Sequence, residues 1–347
     1  MLVDSPPEQC AETAPAPPTR RAIRAIGLLV PVAVLVLVAL TSIAIGAKEL
    51  SPEQVWHGLF QDTGTYGDVV VGERLSRTVL GLLAGAALGL SGAVLQALTR
   101  NPLADPGLLG VNAGASAAVV TAMTCFGVTS LNGYVWFAFL GAAAVGALVW
   151  FLGGSRGATP VRLALAGTAI SAALYGYLQA VMITDQAALG KMRFWTVGSL
   201  SSATNSTILQ VLPFLAVGTV LALALARPLN AVAMGDDTAK ALGANLNRTR
   251  ALSMLAATVL SGAATAACGP IAFVGLMVPH VVRSFTGPDL RWILPYATIL
   301  SPVLLLGADV IGRVVARPSE LQAGIVTALI GGPVFIFLVR RRRTAQV

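Results

Sequence analysis

The stretch ALSMLAATVLSGAATAACGPIAFVGLMVPHVV, Ala251 to Val282, runs for 32 residues without a charge. A bilayer core takes about 20 residues of helix, so this is too much for one span and too little for two full spans and a loop. The basic residues decide between the two. If the stretch holds two spans, the chain has ten, both ends lie on one side, and 16 of the 23 Lys and Arg fall on that side against 7 opposite. If it holds one, the split is 12 against 11. Lys and Arg gather on the cytoplasmic side of membrane proteins, so the uneven split is the expected one. The sequence therefore predicts ten spans, cytoplasmic N- and C-termini, and a short eighth span broken near Gly269-Pro270. Such interrupted helices persist only where protein or a water-lined cavity covers the freed backbone.

Composition agrees with this reading. The chain has 347 residues, 56% hydrophobic and 11% charged, with mean hydropathy +0.78, whereas soluble domains are about 25% charged. The apolar residues come in helix-length blocks, which predicts an all-α polytopic membrane protein. The 36 glycines and 19 prolines suit helices that pack closely and break on purpose. A net charge of +8 would fit nucleic acid, but the basic residues sit singly beside apolar blocks, so they report topology and no nucleic-acid partner is expected. Cys10, Cys125 and Cys268 imply no disulfide framework, and His57 and His280 have no ligand cluster nearby, so no metal site is expected.

Residues 1–24, rich in Pro, Ala and Thr, are expected to form a disordered cytoplasmic tail, and residues 25–343 a transmembrane domain. Spans are predicted at Ala25–Ala47, Thr78–Leu98, Leu108–Phe126, Tyr134–Leu152, Leu163–Ile183 and Ile208–Ala226. After the two in the opening stretch come Ile293–Ile311 and Ile325–Val339. Ser51-Pro52-Glu53-Gln54 has the form of a capping box and should start a short interfacial helix with Trp56 and Phe60 at headgroup depth. Span two carries Gly81, Gly85, Gly89 and Gly92 on one face with Gln96 beyond. This set either lines a translocation pathway or packs beside it. Leu90-Ser91-Gly92-Ala93 recurs as Leu260-Ser261-Gly262-Ala263 five spans later, a spacing that would invert one half against the other. Asp309 and Arg313, four apart, are placed to pair on one helix.

The longest polar interruption after the midpoint is RPLNAVAMGDDTAKALGANLNRTR, 227–250. Asp236 or Asp237 is expected to cap a short helix through Lys240 and Leu242, and Gly243 to end it in a left-handed conformation. A one-turn helix held outside the membrane suits insertion into a groove on a partner, although a plain solvated loop has the same composition. No GxxxxGK[ST] phosphate loop occurs, so the chain is not expected to be an enzyme that hydrolyses ATP itself, and an energy source outside the chain gains ground. An ion-coupled secondary transporter acting alone is the alternative. It lacks a mid-membrane carboxylate array in spans one to eight.

Arg74-Leu75-Ser76-Arg77-Thr78, SGAVLQALTRNPLADPGLLGVNAGA (91–115), FWTVGSL (194–200), GPIAFVGLMVPHVVR (269–283) and GGPVFIFL (331–338), in this order, resemble the FecCD family. Its members are permease subunits of binding-protein-dependent ABC importers for iron-siderophores, haem and cobalamin. The resemblance implies a type II importer permease of ten transmembrane helices, with short coupling helices between spans six and seven. It also implies a second permease copy or a paralogous permease, two cytoplasmic ATPase subunits that use ATP and Mg, and an extracytoplasmic substrate-binding protein. No cofactor is expected on this chain itself, and its surroundings are the lipid of the cell membrane. By motif the resemblance assigns ATPase coupling to Gly235, Asp236, Asp237, Lys240, Leu242 and Gly243. Docking of the binding protein falls to Arg74, Arg77 and Arg313. The substrate it implies is a metal chelate, a ferric siderophore first, moved by ATP-driven alternating access. At the loop between spans four and five this chain has Thr159-Pro160-Val161 where relatives carry small polar gate residues.

Overall fold

The computed structural model describes residues 20–61, 64–128, 130–154 and 160–343. Fifteen α-helices lie among them. In order they are α1 (Arg20–Gly27), α2 (Leu29–Ala44), α3 (Pro52–Phe60), α4 (Tyr66–Thr99), α5 (Val111–Cys125), α6 (Leu131–Gly154), α7 (Pro160–Thr184) and α8 (Gln186–Trp195). After these come α9 (Asn205–Ala224), α10 (Ala226–Ala233), α11 (Asp236–Ala241), α12 (Leu246–Cys268), α13 (Val274–Thr286), α14 (Leu290–Val315) and α15 (Ala323–Arg343). A single 3-10 turn, Pro106–Leu109, precedes α5. The tail expected over 1–24 falls mostly outside the described residues, and its last five residues already belong to α1. Thr159 of the gate motif is also outside them.

The opening stretch folds as two helices broken at the expected place. α12 stops at Cys268, Gly269 adopts φ 73°, and a new helix starts at Val274. Positive φ is open to glycine at no steric cost, and Pro270 has no N–H to continue the ladder. Seven helices are long and apolar enough to cross a membrane: α2 with the end of α1, α4, α6, α7, α9, α12 and α14. Two shorter apolar helices, α5 and the apolar part of α15, fall at two other expected spans, and α13 occupies the second half of the opening stretch. The 13 residues of α13 reach only about 20 Å.

Two helices differ from expectation. α4 begins at Tyr66, three turns before the predicted Thr78, because Thr65 and Asp68 form a capping box that starts a helix in polar sequence. α8 occupies the connection 184–206, where the Asp185 carboxylate accepts from the backbone N–H groups of Ala187 and Ala188. The capping box at Ser51 and Gln54 forms as expected, and Trp56 and Phe60 of α3 are exposed with ring centroids 4.5 Å apart.

α4 and α12 form the centre. In each, 78% of the most apolar 18-residue window is buried inside the chain, against 11% for α2 and 17% for α7 at the perimeter. Their shared surface is built from small residues. Ser91 and Ser261, the serines of the two repeated Leu-Ser-Gly-Ala segments, both donate to the Ala257 carbonyl, at 2.9 and 2.7 Å. Between apolar helices in lipid, close van der Waals fit and such hydrogen bonds replace the hydrophobic drive that packs soluble cores.

Candidate functional site

The residues assigned by motif fall into three places along α4. Near its start lies a buried charge cluster. Asp309, fully buried on α14, accepts from Arg77 Nε and Nη2 at 2.7 to 3.1 Å and lies 3.1 Å from Arg313 Nε. Arg77 Nη1 donates to Glu320 at 2.7 Å, in the turn between α14 and α15. Arg313, 1% exposed, spends its other nitrogens on the carbonyl and hydroxyl of Ser42 in α2. Arg74 donates to the Ile43, Ala44 and Lys48 carbonyls and so satisfies the open C-terminal end of α2. Thus the three arginines assigned to docking are all at least nine-tenths buried and bonded inside the chain. Asp309 and Arg313 pair as expected on one helix. Arg77, however, reaches Asp309 across 232 residues of sequence. Glu320 and Ser42 were not singled out from the sequence, because nothing local marks them.

A cavity of about 430 Å³ opens at this end, lined by Tyr66, Glu73, Arg74, Arg77, Arg313 and Glu320 among others. Glu320 is the solvent-facing member of the ion-pair chain, its side chain 34% exposed against 10% for Arg77.

The polar stretch 227–250 lies at the opposite end of α4. From Arg77 to Arg100 the helix rises about 35 Å. Arg100 closes α4 in a left-handed conformation at φ 50° and donates to the Val232 carbonyl and to Asp236. Arg250 binds the other oxygen of Asp236 at 2.7 Å. This corrects the expected cap. The residue before α11 is Gly235, at φ 118°, and neither Asp236 nor Asp237 caps the helix, since both sit in its first turn. Asp236 is held by two arginines instead. Partial burial works against its charge, but hydrogen bonds from Arg250 and Arg100 outweigh that and hold its carboxyl below the usual carboxylate range. Gly243 does take the left-handed conformation, at φ 76°. Asp237, Lys240, Leu242 and Gly243 are exposed, with Leu242 at 63%. The tip of the stretch is thus outward while its base is pinned to α4 and α12.

A second clamp holds this end. Asn230 of α10 donates to Asp289 at 2.7 Å and accepts from the Leu290 N–H, while Asp289 caps α14 and binds Arg291 at 2.8 Å. Hydrogen bonding by Arg291, aided by Asn230, lowers the Asp289 carboxyl to about 2.

Between the two ends runs the glycine face. A Cβ on Gly85 would meet the Pro302 backbone at 2.6 Å, one on Gly89 would overlap Ser301, and one on Gly92 would overlap the Gly275 carbonyl. Gln96 donates to the Leu276 carbonyl at 3.0 Å and is 1% exposed. These residues lie in the seam where α4 meets α13 and α14. No group of three His, Cys, Asp or Glu that could hold a metal ion occurs among the described residues.

A solved metal-chelate type ABC transporter in an inward-facing conformation superposes with a TM-score of 0.81 at 28% identity, covering 91% of this chain and 99% of that one. The fold is that of a type II ABC importer permease, a multi-pass membrane transport subunit. A sequence model of the FecCD transport family matches residues 34–341. The ferric enterobactin transport system permease protein FepD of Escherichia coli is 47% identical over 326 residues, covering 93% of this chain and 96% of that protein. The Fe(3+)-citrate import system permease protein YfmD of Bacillus subtilis is 39% identical over 306 residues, 88% of this chain and 91% of that one. The chain belongs to the FecCD transport family.

Proposed function

We propose that this chain is the membrane-spanning subunit of an ABC importer that moves a metal chelate, a ferric siderophore first. Two ATPase subunits would act on the cytoplasmic face, a substrate-binding protein outside, and a second permease copy or paralogous permease beside it. The observation that supports this most is similarity over nearly the whole chain to permeases named for iron-chelate import. ATP and Mg belong to the ATPase partners, and alternating access is driven by their closure.

The geometry supports a division of labour along α4. The exposed tip formed by Asp237, Lys240, Leu242 and Gly243 is the coupling surface, with Gly235 and Asp236 setting its angle. That end, the N-terminus and the C-terminus face the cytoplasm. At the other end Arg74, Arg77 and Arg313 organise the rim on which the binding protein docks. A carboxylate from the binding protein reaches Arg77 by taking the place of Glu320, the solvent-facing member of the cluster. Gly85, Gly89, Gly92 and Gln96 shape the translocation pathway by fixing how closely α4 approaches α13 and α14. The ion-coupled alternative would need an unpaired carboxylate in the membrane, and Asp309 is already balanced by two guanidiniums.

Uptake of ferric siderophore in cells carrying the chain with its ATPase and binding protein tests this. Leu242→Asp with Lys240→Glu should abolish uptake and release the ATPase in co-purification. Undiminished uptake, or uptake that follows the proton gradient without an ATPase, would remove the proposal.

A further inference from the structure

A cavity of about 560 Å³ opens between the end of α9 and the start of α12, on the face of the molecule that carries α10 and α11. Leu221, Leu225 and Leu252 form its apolar wall, Arg227 and Arg248 line it from the polar side, and Leu242 and Gly243 of the exposed tip border it as well. Both arginines are exposed, and neither side chain has a hydrogen-bond or ion-pair partner among the described residues. Their neighbours at this end differ: Arg100 and Arg250 share Asp236, and Arg291 binds Asp289. Two uncompensated guanidiniums thus converge on one cavity. Its wall continues onto α9 and α12, both long and apolar enough to span, which present Leu223 and Leu255 outward at 42% and 52% exposure.

We propose that this cavity binds the headgroup of an anionic phospholipid, with Arg227 and Arg248 on its phosphate and an acyl chain along Leu221 and Leu252. The guanidinium fork matches phosphate oxygens in pairs, and charge-assisted bonds of this kind are the strong ones. A choline headgroup would bring a third cation against the two arginines, so the site discriminates by charge as well as by phosphate. A protein partner would cover the exposed polar mouth but would leave the hydrocarbon-facing wall to lipid. The site does not depend on which substrate the chain transports.

The test uses the purified full chain in neutral detergent, titrated with a short-chain phosphatidylglycerol, the matching phosphatidylcholine, or inorganic phosphate, with thermal unfolding as readout. Phosphatidylglycerol should raise the midpoint at concentrations about tenfold below phosphatidylcholine, the worth of one charge-assisted hydrogen bond. Arg227→Gln with Arg248→Gln should erase that preference while leaving the lipid-free midpoint unchanged, and Arg340→Gln, a basic residue elsewhere, should retain it. Should the double variant not be recovered, Arg227→Gln alone decides, with the preference cut at least about threefold. Equal response to both lipids overturns the proposal, as does a preference that survives the double variant or that Arg340→Gln also removes. Inorganic phosphate matching phosphatidylglycerol at equal concentration would identify a free-anion site and overturn the lipid. So would loss of ATPase binding by the double variant with its lipid preference intact.

Discussion

Asp309→Asn keeps the shape of the buried carboxylate and removes its charge from between two guanidiniums. Arg77 would still hold Glu320 at 2.7 Å, but Arg313 would be left with only neutral acceptors, the carbonyl and hydroxyl of Ser42. Breaking a buried ion pair from one side costs about 3–5 kcal/mol, and an anion shared by two cations at full burial belongs toward the upper part of that range. The loss is expected at about 4 kcal/mol in chemical unfolding of the detergent-solubilised protein. Arg313→Gln added to Asp309→Asn should then restore about 2 kcal/mol, because the stranded charge is gone. Arg77→Gln added to Asp309→Asn should restore less, because it leaves Glu320 without its cation. A single Asp309→Asn change within about 0.5 kcal/mol of wild type would refute this charge balance, since that is the range of substitutions away from any special feature. Equal rescue by the two arginine changes would refute it too.

Three other outcomes follow from the same geometry. Gly92→Ala should lower stability by about 2–3 kcal/mol or prevent folding, because its Cβ overlaps a carbonyl of α13, whereas Gly176→Ala, with open space around it, should stay within about 0.5 kcal/mol, both read by thermal unfolding. Asp289 has its folded carboxyl lowered to about 2 from an ordinary 3.8, so the stability it contributes is complete above about pH 4 and lost as pH falls through about 2. The melting temperature should decline across that window, and Asp289→Asn should flatten the decline. Glu320→Gln should tighten docking of the binding protein in a pull-down, by weakening the group that occupies Arg77. Weaker docking would instead make Glu320 a contact in its own right.

Features fixed within a few residues were legible in the sequence. The Ser51 to Gln54 capping box, the break at Gly269-Pro270, the left-handed Gly243 and the Asp309–Arg313 pair all depend on near neighbours. What was missed involves partners far apart in the chain. Asp236 looked like a cap because a short helix follows it, but its oxygens go to Arg100, 136 residues away, and to Arg250. The arginines near the start of α4 looked free because their acceptors are backbone carbonyls of α2 and a carboxylate on α14, which no local pattern announces. The early start of α4 and the whole of α8 escaped because an apolar-block reading sees spans and passes over polar helices.

The 34 unbroken residues of α4 are held at two places, by Asp309 about three turns in from the start and by Asp236 at the end. One continuous element thus ties the buried charge cluster to the polar stretch that holds Asp236. Backbone contact along its glycine face, such as Gly92 against the Gly275 carbonyl, leaves no room for a side chain between α4 and its neighbours, so the helix is gripped along its middle as well as at those two places.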